Sequence, residues 1–373
     1  MAERRHTENT KRSSSGGRGG AAAAKRKKAK KKKRIALFIL EFLVLAIMII
    51  VLFVIQKMDK IDVQEIDEED IVINEEVTEM DSLKGYKNVA LFGVDISKNN
   101  NLGKGARTDT IMLLSLNEDT GDAKIVSVYR DTYLNVGNDS YNKANSAYAK
   151  GGPEQAINML NMNLDLNITD YVTIDFRALT KAIDALGGIE IDVQPEEIEH
   201  LNNYQIGTQE VTGGEIVPVK ESGLQTLNGL QATSYCRIRY TAGDDFKRTE
   251  RQRTVLQEVA KKAKQSDIAT LNNIINDVFP MISTSFSTTE MLGYAADFMK
   301  YNIADTAGFP FERGTGKMGK VGSSVVPKDL AANVTQLHQL LFGEEEAVYT
   351  PSATVQEISS KIASDASNYS ISY

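Results

Sequence analysis

Hydrophobic and polar positions fall along this chain in blocks, and the period of each block predicts an element. The first block, "IALFILEFLVLAIMIIVLFVI", is Ile35–Ile55, apolar on every face over 21 residues and interrupted only by Glu41. At about 1.5 Å per residue it matches the roughly 30 Å hydrocarbon core of a bilayer. It is too long for a signal-peptide core, and no small-residue cleavage site follows. Residues 35–56 are therefore expected to form one transmembrane helix. Residues 57–85 show no strong apolar period beyond "IVI" and read as an extracytoplasmic spacer.

From Lys87 the pattern becomes that of an α/β domain. "NVALFGVD" (88–95) is a near-continuous apolar strand, and "SKNNNLGKGA" (97–106) a loop. "TDTIMLLSLN" and "AKIVSVYR" are strands joined by "EDTGD", which predicts a hairpin. "GGPEQAINMLNMNL" predicts a helix, with Pro153 in its first turn and Ile157, Leu160 and Leu164 at helical spacing. "DYVTIDF", "RALTKAIDAL" and "IEIDV" predict strand, helix and strand. "LNGLQATSYC", "RTERQRTVLQEVAKKAK", "LNNIINDVFPMI" and "TEMLGYAADFM" read as helices, and "VVPKDLAANVTQLHQLLFG" closes the domain. Strands alternating with helices around an internal hairpin predict a central mixed β-sheet flanked by helices. This folded domain is expected over 86–343, with a loose polar tail over 344–373.

Charge sharpens the picture. The net charge is −7, but residues 1–34 carry 14 Lys/Arg against Glu3 and Glu8, so the rest of the chain is strongly acidic. "KRKKAKKKKR" (25–34) abuts the apolar run, where it fits the positive-inside rule and attraction to anionic lipid better than nucleic-acid binding. The N-terminal tail is then cytoplasmic and disordered, and everything after the helix faces the cell wall side of a plasma membrane. The spacer adds 11 acids and two lysines over 58–85. Cys236 is the single cysteine, which excludes an intrachain disulfide and reads as a small buried filler.

The candidate chemistry emerges by elimination. The three histidines, His6, His200 and His338, sit in no motif, so nucleophilic triads and His-rich zinc sites lack their parts. No phosphate-cradling GxxxxGK[ST] loop is present. What remains is arginine and aspartate at element ends. Asp95 ends the first strand, and Arg107 and Asp109 share one face of the next if it is extended. Arg130 and Asp131 end the third. Arg237 and Arg239 share a face if "CRIRY" is extended, and Arg248, Arg251 and Gln252 line one helix face. Taken singly, each arginine is ordinarily a structural ion pair. Jointly they suggest an anion site, because guanidinium forks match phosphate oxygens and keep their charge. Aspartate beside them serves phosphate through a hard divalent ion such as Mg²⁺.

"RTDTIMLLSLN", "IVSVYRDTY", "NKANSAYAKGG", "YVTIDF", "IDALGGIEIDV", "LNGLQATSYCRIRY" and "DFKRTERQ" resemble, in order, the signature segments of the LytR–CpsA–Psr family, over roughly residues 86–265. The resemblance implies a membrane-anchored phosphotransferase that moves a glycopolymer, of wall teichoic acid or capsule type, from a polyprenyl-pyrophosphate carrier to peptidoglycan. It implies Asp95 and Asp109 as Mg²⁺ ligands. Arg107, Arg130, Arg237 and Arg239 would surround the pyrophosphate, and Arg248, Arg251 and Gln252 would bind substrate. Either Asp109 or Asp131 would assist deprotonation. The implied apolar pocket for the lipid is expected at faces such as Ile157, Leu160 and Leu164. A polyprenyl-pyrophosphate hydrolase, an envelope-linked transcriptional attenuator and a non-catalytic binding module are the rival readings.

Overall fold

The computed structural model describes residue 56 and residues 60–95, 102–241, 243–343 and 349–373. The expected cytoplasmic tail and transmembrane run lie outside the described residues, apart from Gln56. No described helix is long and apolar enough to cross a membrane.

The chain runs β1 (Asp62–Val63), β2 (Tyr86–Asp95), β3 (Arg107–Asn117), β4 (Asp122–Val128), β5 (Tyr133–Asn135) and β6 (Tyr141–Lys143) into α1 (Asn145–Leu164). Next come β7 (Asp170–Asp175), α2 (Phe176–Ala185), β8 (Ile189–Val193), α3 (Ile198–Thr212), β9 (Gly223–Leu227), α4 (Gly229–Tyr235), α5 (Asp244–Lys264) and α6 (Ile268–Val278). The last elements are β10 (Ile282–Thr284), α7 (Thr288–Asp297), β11 (Asn302–Phe309), β12 (Arg313–Met318), β13 (Gly322–Pro327), α8 (Leu330–Phe342), α9 (Ala353–Ala366) and β14 (Ile371–Ser372).

Among the described residues seven strands form the central sheet, in the order β1-β10-β7-β2-β3-β4-β11. The sheet is mixed: β2 pairs antiparallel with β3 and parallel with β7, and β3 and β4 form the expected hairpin. Alternation splits β2 and β3 between two layers. Ala90, Phe92, Val94, Ile111 and Leu113 enter the main core with α1, α8 and α9. Leu91, Gly93, Thr110 and Met112 face the other side, toward α2 and α5. α1 is kinked at Gly152, whose φ of 76° suits glycine, and Pro153 starts the second segment without losing a helix bond it needs. The "IEIDV" strand does not join the central sheet. Among the described residues β8 pairs only with β9, and this ribbon packs with α2, α3 and α4 around a smaller core.

Several sequence expectations are corrected. The spacer is part of the fold from its first described residues. β1 pairs with β10, and Val77 and Leu83 are buried in the main core. Most of its described acids sit on short 3₁₀ turns while every few residues an apolar side chain faces inward, a period too irregular for pattern reading. The loose tail is equally structured. α9 buries Val355, Ile358, Ile362 and Ala366 in the main core. Asp165, fully buried, accepts hydrogen bonds from Asn74 Nδ2 at 2.6 Å, the Tyr349 hydroxyl at 2.7 Å and the Ser352 amide at 2.8 Å. That carboxylate ties both supposedly loose arms to the end of α1. Finally, Ile157, Leu160 and Leu164 are buried in the main core, where α1 closes against β3 and β7, and none of them lines the cavity between the sheet and helices α2 and α5.

Candidate functional site

The polar end of the β2–β3 pair carries the site. The register runs Gly93↔Thr110 and then Val94↔Thr108, so Asp109 is the extra residue of a β-bulge. A bulge turns a side chain out of strict alternation. The expectation that Arg107 and Asp109 simply share a face of an extended strand is therefore replaced. Arg107 is exposed at the start of β3 opposite Asp95, while Asp109 is half-buried and turned toward other arginines. Gly93 sits beside the bulge because a Cβ there would lie 2.9 Å from the Thr110 Cβ.

Arg130 stands just beyond β4, with its backbone carbonyl fixed by the Asn145 amide at 3.0 Å. Its Nη1 donates to Asp109 Oδ1, its Nε lies 3.8 Å from Asp131, and its Nη2 lies 3.7 Å from Asp245. Burial works against the Arg130 charge, but Asp109, Asp245 and Asp131 outweigh it and hold the pKa above the ordinary arginine value. Asp131 is further bridged by Lys143 Nζ at 3.2 Å. Arg239 Nη2 approaches Asp109 Oδ2 at 3.8 Å. Arg248, 2% exposed, donates through Nη2 to the Asp109 carbonyl at 3.2 Å and pairs with Asp245 at 2.8 Å. Burial lowers its pKa to about 10, Asp245 opposing and Arg130 and Arg239 reinforcing the shift.

Thus Asp109, Arg130, Asp131, Arg239 and Arg248 are brought together. The cluster also contains Asp245 and Lys143, which the sequence reading did not single out. Asp245 was within reach, since it precedes Arg248 by three residues in the "DFKRTERQ" segment. Buried Nε atoms of Arg130 and Arg248 have no hydrogen-bond partner among the described residues, which leaves donor capacity in the cluster.

Other candidates do something else. "CRIRY" is the end of α4 and a turn, so Arg237 and Arg239 diverge. Arg237 donates to Thr208 Oγ1 at 2.9 Å and lies over the rings of Phe176 and Tyr204. Arg251 is buried in an ion pair with Glu197 at 2.7 Å, and its other nitrogens donate to the Ile238 carbonyl and Thr241. It clamps the 237–241 turn from inside. Gln252 reaches the Cys236 carbonyl at 3.5 Å and lines a cavity. Asp95 ends β2, half-buried, on the strand next to Asp109. Among the described residues no group of three or more His, Cys, Asp and Glu is placed to hold a metal by protein ligands alone.

The cavity encloses about 290 Å³ between the sheet and helices α2 and α5. Leu91, Met112, Val172, Ile174, Leu179 and Val255 give it an apolar wall. Its polar end reaches the cluster through chain neighbours: Thr110 follows Asp109, and Gln252 lies one turn beyond Arg248. Cys236 is 3% exposed, and burial pushes its thiol up to about 12, so it is an inert wall residue.

A family model, that of the LytR_cpsA_psr family, matches residues 48–336. The teichoic acid transferase TagU of Enterococcus faecalis is 30% identical over 213 residues, which cover 56% of this chain. TagT of Bacillus subtilis is 29% identical over 219 residues, 58% of this chain. In each case the match spans 65% of the relative's own length. A solved structure of TagT with bound octaprenyl pyrophosphate lipid shares the fold, with a TM-score of 0.51 and 21% identity over 71% of this chain and 94% of that one.

Proposed function

The chain belongs to the LytR–CpsA–Psr family, and on that premise we propose that it transfers a glycopolymer from a polyprenyl-pyrophosphate carrier to peptidoglycan. The observation that carries this reading is the junction of two environments. An apolar cavity suited to a prenyl chain meets a cluster of arginines suited to its pyrophosphate. The relatives are named polyisoprenyl-teichoic acid–peptidoglycan teichoic acid transferases, and a TagT structure holds octaprenyl pyrophosphate, which supports the same carrier here.

In this mechanism Arg130, Arg239 and Arg248 hold the pyrophosphate oxygens in a partly water-excluded setting, where charge stabilisation is strongest. A peptidoglycan hydroxyl attacks the phosphorus bearing the glycan. A new phosphoester bond forms, the bond to the prenyl phosphate breaks, and polyprenyl phosphate leaves with its charge held by the same arginines. The hydroxyl proton passes to a carboxylate of the cluster. Asp95 and Asp109 fit the donor set of Mg²⁺, which uses one or two carboxylates with phosphate oxygens. Held by Asp95 and Asp109, Mg²⁺ would supply charge neutralisation for the pyrophosphate. The apolar run 35–55 and its basic flank support a single-pass anchor with the domain on the outer face.

The full chain, incubated with a lipid-linked glycan, peptidoglycan oligomers and Mg²⁺, should yield glycan joined to peptidoglycan through a phosphodiester, read by mass spectrometry. Free glycan phosphate with no transferred product would make it a hydrolase instead.

A further inference from the structure

Beside the arginine cluster lies a group of aromatic side chains that the transfer step does not use. Tyr240 follows Arg239 and is 74% exposed. Its ring stacks on Tyr204, with centroids 6.5 Å apart and planes at 22°, and lies 6.1 Å from the His200 ring. His200 and Tyr204 are four residues apart on α3 and share a face. Arg237 holds Tyr204 in place by lying over its ring at 5.9 Å while it is anchored on Phe176 and Thr208. Gly207, three residues beyond Tyr204 on the same flank, is half-buried, yet a Cβ built there meets nothing among the described residues within 4 Å. Glycine inside a helix costs about 0.5–1 kcal/mol relative to alanine, and no neighbour requires it here. The result is a bare shelf beside two aromatic rings.

We infer that Tyr204 and Tyr240, with the shelf at Gly207, form a platform for a pyranose ring attached to, or attacking, the phosphate held by Arg239. The inference rests on the transferase reading and deepens it. A pyranose presents an apolar C–H face with partial positive charge, which complements the negative face of an aromatic ring. Its rim of hydroxyls needs hydrogen-bond partners, and His200 and Asn203 lie on the same flank of α3 to supply them. Burial and then Tyr240 push the Tyr204 hydroxyl up, although Arg239, Arg237 and Arg248 pull it down, so the phenol stays protonated and able to donate. The apolar cavity proposed for the lipid is lined by Phe176 but by neither Tyr204 nor Tyr240. A flat ring pair next to phosphate-binding cations suits a sugar phosphate.

The test titrates the detergent-solubilised full chain with three probes: octaprenyl pyrophosphate, the same lipid bearing one N-acetylglucosamine, and a soluble peptidoglycan oligomer. The variants are Tyr240→Ala, Tyr240→Phe and Gly207→Leu. Tyr240→Ala and Gly207→Leu should weaken the sugar-bearing lipid about tenfold and leave octaprenyl pyrophosphate unchanged. Tyr240→Phe, which keeps the ring, should bind like wild type. The same selective loss seen only with the peptidoglycan oligomer would assign the platform to the acceptor sugar. Equal losses for both lipids, or no loss with any probe, would overturn the platform while leaving the transferase reading in place. A wild-type chain that fails to bind octaprenyl pyrophosphate would overturn that reading and the platform with it.

Discussion

Arg130 donates to the carboxylate of Asp109, and Asp109 is the residue that the bulge in β3 leaves without a register partner on β2. The bulge supplies direction, and the pinned turn at Arg130 supplies the fork. Arg130→Ala should lower the transfer rate by about two orders of magnitude or more, the usual cost of one charge-stabilising donor. Arg130→Lys should recover little, because an ammonium cannot reproduce a planar bidentate contact. Rates by mass spectrometry, beside unchanged circular dichroism, measure this. Full activity in Arg130→Ala would remove the residue from the reaction.

Arg251 gives a contrasting expectation. Its side chain is 4% exposed and its partner Glu197 6% exposed, so deleting either one strands a buried charge. Arg251→Ala should destabilise the fold by about 3–5 kcal/mol in urea unfolding. Arg251→Met combined with Glu197→Leu should recover most of that loss, since no charge is then left unpaired. If Arg251→Ala were as stable as wild type but lost carrier binding, the residue would belong to the substrate site after all.

What the sequence made legible follows from range. The β3–β4 hairpin, the segment of α1 after Pro153 and the central strand β2 are specified locally, by turn residues and apolar periods. Asp109 and Arg130 were also visible, as charged residues at the ends of apolar strands. The buried pairing of Arg251 was not legible, because helix spacing places it on the face of Arg248 while its partner Glu197 lies 54 residues away. The bulge at Asp109 is a property of pairing between β2 and β3 and leaves no mark in either strand alone. α9 was missed because its apolar residues are spaced among serines, and its docking depends on Asp165, 187 residues before Ser352. That Ile157, Leu160 and Leu164 are closed off in the main core was hidden for a related reason. Apolar period shows that α1 is buried but not which face of the sheet is left open.

The open face can be tested directly. Leu256 is half-buried on the wall of the 290 Å³ cavity. Leu256→Trp adds ring volume that the cavity can accept, so stability should change by less than about 1.5 kcal/mol. Octaprenyl pyrophosphate binding should fall at least tenfold, while inorganic pyrophosphate, which needs only the arginines, should bind as before. Undiminished lipid affinity would place the prenyl chain elsewhere. Cys236, on the same wall, should resist iodoacetamide in the folded chain and react once urea unfolds it, as its buried thiol requires.

Far from the site, Asp170 at the start of β7 links stability to pH. It is 8% exposed, and it accepts from Lys87 Nζ at 2.5 Å, from Ser285 Oγ at 2.8 Å and from Thr169 Oγ1 at 2.8 Å. Burial raises its pKa, but Lys87 and Ser285, with Thr169, outweigh that and hold it below the ordinary 3.8. A folded-state pKa below the unfolded one means the unfolded chain binds the proton more readily. The stabilisation is therefore complete above pH 3.8 and is lost as pH falls through the folded value. Asp170→Asn should cost about 1–3 kcal/mol at pH 7, the range for hydrogen bonds to a charged group. Urea midpoints of the two chains should converge as the pH drops below 3.8. A gap of the same size at pH 7 and in acid would mean that the carboxylate charge contributes nothing, and that Asp170 acts only through its shape.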